Sequence, residues 1–403
     1  MTKNRLLTTC LFCAALFLPV APHSSASADD AGSAAEATAM RGVAWLRLQA
    51  DEAGRFSMMI GDKKLPNPGY TAIALAPIVA ALPHDKRASD ALVKKSLAYL
   101  LASLKDNGAI SSDMFRGYEN YLTSATLMAT TRIDDPALAA VNKKMADYLL
   151  TLQRTEEGRN EGWFGYNKRR GADLSNAQFT IEALRSAGIP EDHPAMVRAR
   201  AYLSRVQNRS ENEENDGKVW ETDEAERGED GLGKVKVRPG NDGSAGYEPG
   251  VSKAGMVKLP DGTFIARGYG SMTYALLKSY VLTSLKADDP RLKACIDWLG
   301  KNTTWDENPG FRELAKETGK KDLPYQGLYY YYMTAARALD LAEKKGAVLP
   351  ESLKTWRVDL STAIEKRQKD DGHWVNDMHP RWDESNPVLT TSYALLALQA
   401  IHG

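Results

Sequence analysis

Six times along this chain an amphipathic run gives way to a polar, glycine-containing loop and then to a second, more apolar run. The first runs close alike, as AWLRLQ to Gln49, YLLASLK near Leu104, YLLTLQ to Gln153, YLSRVQ to Gln207, IDWLGKN near Asn302 and AIEKRQ to Gln368. Three of them open on an acid and a proline, at Asp134-Asp135-Pro136, Asp192-His193-Pro194 and Asp288-Asp289-Pro290. A capping side chain followed by a first-turn proline is a helix start signal. The second runs are GYTAIALAPIVAAL, GYENYLTSATLMAT, DLSNAQFTIEALRSAG, GYGSMTYALLKSYVL, YQGLYYYYMTAARALDLA and NPVLTTSYALLALQAI. In the third, Leu174, Ala177, Ile181, Leu184 and Gly188 share a helical face. Helix pairs with a charged first member and an apolar second predict an all-α fold, an inner ring of helices inside an outer ring. The last run, Asn386 to Ile401, is apolar nearly all round and lacks the polar outer face of a solenoid cap. The expected architecture is therefore a closed six-fold α/α toroid in one domain, residues 29–403, with strands only in its long loop.

The N-terminus reads differently. Lys3 and Arg5 precede an apolar run from Leu6 to Val20, and Ala26-Ser27-Ala28 offers a small-x-small cleavage site. That is the layout of a signal peptide, with cleavage expected after Ala28 and a secreted or periplasmic product. Cys10 and Cys13 leave with it, so Cys295 stands alone in the mature chain and reads as a small buried hydrophobe. With 52 basic and 52 acidic residues the net charge is zero, which gives no reason to expect a nucleic acid, and nothing indicates membrane contact. Oligomeric state is left open. An insertion at about 208–267, rich in Gly, Asp, Glu, Asn and Lys, is too long for an ordinary connection and reads as a flap over one mouth of the ring or as a disordered segment. Its GMVKLPDGTF stretch carries a turn at Pro260-Asp261-Gly262 that suits a small hairpin.

At Gln368 the chain reads QKDDGHW, with Gly372 and Trp374, and partial copies follow Gln49 and Gln153. This resembles the Gln-x-x-x-Gly-x-Trp motif of squalene–hopene and oxidosqualene cyclases. The whole mature chain looks like the prenyltransferase and squalene-oxidase repeat family, including secreted bacterial members with DLSN-Q, SMTYALLKS, QGLYYYY and DGHW-like segments. The resemblance implies the toroid and, by analogy, an isoprenoid or other apolar or amphipathic small molecule in a central cavity. Cyclases of this kind open one inner helix with Asp-x-Asp-Asp, whose middle Asp protonates the substrate. On this chain that motif falls on Asp173-Leu174-Ser175-Asn176, which puts serine at the donor position. Asp173 is then either a displaced acid or a helix cap. Ser175, Asn176 and Gln178 are either a ligand-facing polar cluster or ordinary first-turn residues. No His/Cys cluster has zinc spacing, the position where protein prenyltransferases place a ligand histidine in QGLYYYYMT is tyrosine, and no cofactor or metal is expected.

Three further groups are candidates for the lining. Gly-Tyr recurs before inner helices at Gly69-Tyr70, Gly117-Tyr118, Gly165-Tyr166 and Gly268-Tyr269, either as a partial ring of tyrosines at one mouth or as core cover. Tyr329 to Tyr332 advance about 100° per residue, so they cannot share a face; Tyr330 and Tyr331 are the candidates to point inward. The final loop, HWVNDMHPRWDESN, gathers His379 and Trp382 with Asp377, Arg381, Asp383 and Glu384, as a solvated loop or as a sugar-binding, acid–base site. Three functions remain open: an isoprenoid-type binder or cyclase, a non-catalytic binding or scaffold protein, and a carbohydrate-active enzyme. An apolar closed cavity would favour the first, a filled ring the second, and an open groove lined by carboxylates the third.

Overall fold

The computed structural model describes residues 28–167, 171, 173–223 and 234–402. Outer and inner helices alternate: α1 (Ala28–Leu48) and α2 (Pro68–Ala80), α3 (Ala91–Ala102) and α4 (Glu119–Thr130), α5 (Ala139–Leu150) and α6 (Leu174–Ser186), then α7 (Pro194–Val206) and α8 (Gly270–Leu282). Next come α9 (Pro290–Asn302), the short α10 (Arg312–Thr318) and α11 (Leu328–Lys344), and finally α12 (Trp356–Glu365) and α13 (Pro387–His402). Each inner helix packs on the next, in the order α2, α4, α6, α8, α11, α13, and α13 returns to α2. The ring is closed. The expected signal peptide falls, except for Ala28, outside the described residues.

The recurring glutamines explain why it closes. Gln153, after α5, donates to the Ala195 carbonyl at the start of α7 at 2.7 Å, and Gln207, after α7, donates to Arg291 of α9 at 2.8 Å. Gln368, after α12, donates to Thr38 of α1 at 2.9 Å. Each of these three ties one outer helix to the next, and the last joins the end of the chain to its beginning, whereas Gln49 donates back to the Trp45 carbonyl of its own helix. The motif's other members hold the loop. Gly372 takes φ +101, and a Cβ there would stand 2.8 Å from the Arg41 carbonyl oxygen, so only glycine fits. Trp374 is fully buried and donates its Nε1–H to Ile364 at 2.8 Å. The Asp-Pro starts behave as capping requires: Asp135 and Asp289 accept from the backbone two residues on, although in Asp192-His193-Pro194 it is the His193 ring that caps α7.

Strands are not confined to the long loop. β1 (Ser57–Ile60) and β2 (Lys63–Pro66) form an antiparallel hairpin between α1 and α2, and Gly61-Asp62 is its two-residue turn signal. In the insertion, β3 (Trp220–Asp223), β4 (Lys234–Val237), β5 (Met256–Lys258) and β6 (Phe264–Ala266) make a four-stranded sheet in the order β3-β4-β6-β5. The β5–β6 pair is the hairpin turned at Pro260-Asp261-Gly262. Between β4 and β5 the chain reaches the start of α6, where the Leu174 N–H donates to the Tyr247 carbonyl at 2.9 Å.

Cys295 is fully buried in α9 with its thiol 3.3 Å from the Thr273 carbonyl oxygen, and burial pushes the thiol's pKa up. Among the described residues no helix is long and apolar enough to cross a membrane, and no group of three or more His, Cys, Asp or Glu could hold a metal ion.

Candidate functional site

The inner helices run in one direction, so their N-terminal ends gather at one mouth of the ring. Asp173 sits there, 1% exposed, with extended backbone as the N-cap of α6. One carboxylate oxygen accepts the Asn176 N–H at 2.8 Å, closing the cap. The other accepts the Tyr166 hydroxyl at 2.6 Å and the Tyr247 hydroxyl. Burial raises the Asp173 pKa, against the lowering effect of these donors. Asp173 therefore caps the helix and anchors two tyrosines at once.

The next shell faces the ring axis. Tyr121 donates its hydroxyl to Ser175 at 2.8 Å, the Ser175 and Tyr330 hydroxyls are 2.9 Å apart, and Gln178 donates its Nε2–H to Tyr330 at 3.0 Å. Tyr121, Ser175 and Tyr330 are half-buried, while Gln178 is fully buried. Among the described residues the Gln178 Oε1 has no hydrogen-bond partner. An unpaired buried acceptor is costly, and it marks a place where a donor is missing. Below this network the lining turns aromatic: Phe179 stacks on Tyr330 with ring centres 6.3 Å apart, and Tyr393 meets Tyr330 edge-on at 6.0 Å. The axial void beneath, lined by Ala72, Ile73, Ala125, Phe179, Met333 and Tyr393, leaves about 10 Å³ for the centre of a water molecule. That is room for about one water. The axis is filled.

The final loop brings a second feature to this mouth. Trp382 and Asp383 both have left-handed backbone, φ 58° and 64°. Neither is glycine, and each such residue is strained by about 1–3 kcal/mol. Neighbours hold the turn in place. The fully buried Glu384 carboxylate accepts the Tyr330 N–H at 2.8 Å and the Asn376 side-chain amide at 2.7 Å. The Trp382 ring lies on Gly327, where a Cβ would stand 2.7 Å from it. The Arg381 guanidinium also lies over that ring, 5.2 Å from its centre. Asp383 is half-buried, and burial pushes its carboxyl up to about 6, a useful range for proton transfer near neutrality.

The sequence candidates are thus distributed as follows. Asp173, Ser175, Asn176, Gln178 and Tyr330 meet at the mouth. Tyr118 stands at its rim, 43% exposed, edge-on to Tyr166 at 5.9 Å. Tyr70 is 8% exposed in the first turn of α2, and Tyr269 is buried against Phe311 with ring centres 4.9 Å apart. Tyr331 turns toward the outer ring, where it is fully buried and donates its hydroxyl to the Thr304 carbonyl at 2.9 Å. The 100° step between neighbours separates it from Tyr330. Trp382 is 40% exposed, and half-buried His379 lies 3.7 Å from Asp322 and accepts the Arg381 N–H. Tyr121 and Tyr247 were not singled out by sequence. Gly246-Tyr247 repeats the Gly-Tyr pair, but inside the insertion rather than before an inner helix; Tyr121 carries no such signal.

No protein-family model matches the chain, and no curated protein sequence matches it. Solved structures do. A variant of the type II terpene cyclase MstE from Scytonema, in complex with merosterolic acid A, superposes with a TM-score of 0.57 at 12% identity, over 93% of this chain and 99% of that one. A second MstE variant, in complex with its substrate geranylgeranyl dihydroxybenzoate, gives the same score and coverage. An unsaturated glucuronyl hydrolase variant from Streptococcus agalactiae gives 0.53 at 12% identity, over 93% and 92% of the two chains. At these identities the likeness establishes the class, an α/α toroid of the kind shared by terpene cyclases and glucuronyl hydrolases.

Proposed function

We propose that this chain is a secreted, terpenoid-cyclase-like toroid, related to the prenyltransferase and squalene-oxidase repeat proteins, that binds an isoprenoid or other amphipathic molecule by its polar end at the mouth built around Asp173. The observation that carries this reading is the Gln178 Oε1, without a partner among the described residues, beside the Tyr121–Ser175–Tyr330 hydroxyl chain. A ligand hydroxyl would donate to that oxygen while its apolar portion lies against Phe179 and Tyr393. Because the axis holds about 10 Å³, a longer chain enters only when Tyr330 and Phe179 swing aside. Binding comes before chemistry in this reading. Ser175 cannot act as the strong acid of a cyclase, and both oxygens of Asp173 are already engaged. A terpene cyclase with substrate bound has the same fold, and that supports the ligand class by analogy.

The test is extraction of the purified secreted protein with solvent, followed by mass spectrometry, and titration of emptied protein with farnesol by tryptophan fluorescence. Saturable quenching is expected, weakened about tenfold in Gln178→Met, which removes the oxygen that the ligand hydroxyl would donate to, the effect of one lost hydrogen bond at a buried site. Empty extracts together with no saturable response to farnesol would refute the reading. A second reading, a carbohydrate ligand, is favoured by the strained turn that presents Trp382 and Asp383 at the mouth. An acidic disaccharide would then quench where farnesol does not.

A further inference from the structure

The opposite end of the ring holds a different site. A pocket of about 470 Å³ opens there, lined by all six inner helices or their immediate ends. Its charged wall comprises Arg132 after α4, Glu182 and Arg185 on α6, and Arg337 and Asp340 on α11. Lys278 of α8 stands behind Glu182, 1% exposed.

The cations outnumber the acids free to answer them. Glu182 is shared between Lys278, at 2.6 Å, and Arg337. Asp340 is engaged from outside the pocket by Lys344 at 2.8 Å and Arg357 at 3.1 Å. Arg132 has no acidic partner among the described residues; its guanidinium donates to the Met128 carbonyl at 3.0 Å. Arg185 has only a 3.7 Å contact with Glu191 and a bond to the Ile189 carbonyl, and its Nε–H is buried without a partner among the described residues. Helix C-termini explain some positive charge at this end, since each carries about half a negative charge. Burial and the neighbouring Arg132 still push Arg337 down to about 9, and burial and Arg87 push Arg132 down.

Arg132, with no acidic partner among the described residues, lines this pocket together with Arg185, and guanidinium groups so placed are the groups that recognise multidentate oxyanions. We propose that this pocket binds a small anion with two or more charged oxygens, a phosphoryl or polycarboxylate group, held between Arg132 and Arg185 with Ser186 and Gln399 as neutral neighbours. Phe179 and Tyr393 stand between this pocket and the Asp173 mouth, and the small axial void beside them shares Arg132, Arg337 and Leu396 with the pocket. An anion there would stabilise the fold by mass action and relieve the repulsion among the arginines.

Calorimetric titration of the full secreted chain with inorganic phosphate, diphosphate and citrate tests this, with thermal unfolding at matched ionic strength as the second readout. At least one probe is expected to bind saturably below about 1 mM and to raise the Tm, whereas chloride at equal ionic strength does neither. Arg132→Gln and Arg185→Gln should each weaken binding about tenfold, and Ala400→Phe should block it while leaving all the charges in place. Which probe binds decides between phosphoryl and carboxylate ligands. Silence from all three probes up to about 10 mM, or binding that survives Ala400→Phe and both arginine variants, overturns the proposal. Farnesol binding at the other mouth is read separately and is expected to be unchanged in these variants.

Discussion

The buried triad of Glu182, Lys278 and Arg337 gives the sharpest expectation. Glu182 is 7% exposed and Lys278 1%, and one carboxylate answers both cations. Substituting Glu182→Gln keeps the shape and removes the only negative charge in the triad. Breaking a buried pair in this way costs about 3–5 kcal/mol, because an uncompensated charge stays behind. With an unfolding entropy of about 2.1 cal/mol/K per residue over roughly 370 residues, that loss lowers the Tm by about 4–6 °C. Lys278→Met should cost far less, since Glu182 and Arg337 then form a one-to-one pair and the apolar side chain suits the site. Burial already pushes Lys278 down to about 7, against an ordinary value near 10.5. Between those values the unfolded chain binds more protons than the folded one, so stability rises with pH across that window. The deficit of Glu182→Gln should accordingly be largest below about pH 6 and narrow as pH rises through 7 to about 8, where Lys278 sheds its proton in the folded protein. Circular dichroism melts across that range provide the assay. A Glu182→Gln protein within about 1 kcal/mol of wild type, or a Lys278→Met protein equally damaged, would refute the reasoning.

Other expectations are as direct. Asp383 has a folded pKa of about 6, raised by burial above its ordinary value of 3.8, so its ionisation opposes folding increasingly as pH climbs through that interval and fully above it. Asp383→Asn should be more stable than wild type at pH 7 and nearly equal at pH 4; equal gaps at both would show that the carboxyl is not shielded. Gly372→Ala forces a Cβ against the Arg41 carbonyl at φ +101 and should destabilise the ring by more than about 1–2 kcal/mol, the strain of a left-handed alanine alone, as read from denaturant midpoints. Gln368→Ala removes the tie between α12 and α1 together with its bond to the Gly372 carbonyl, so about 1–3 kcal/mol of stability should go, and hydrogen exchange should speed first in α1 and α12.

The sequence alone determined the ring. Its evidence is local: capping residues, apolar residues at helical spacing and a glutamine at the end of an outer helix all act within a few residues or on the adjacent repeat, so they can be read without knowing where the chain goes next. Asp173 as an N-cap belongs to the same class, and so does the Gly372 turn. Which side chains meet, by contrast, is set by the packing of distant segments. Ser175 and Tyr330 are 155 positions apart and Asp173 and Tyr247 are 74 apart, yet each pair is in hydrogen-bond contact. No periodicity encodes such a meeting, because it depends on how six helices close and on the angle at which each arrives. The same closure turned Tyr330 inward and Tyr331 outward, filled the axis with Phe179 and Tyr393, and brought three arginines to one pocket from α4's end, α6 and α11. A helix wheel sees only that a face is apolar or polar. Which partner that face meets is fixed by ring closure, and the chemistry at both ends of the ring follows from it.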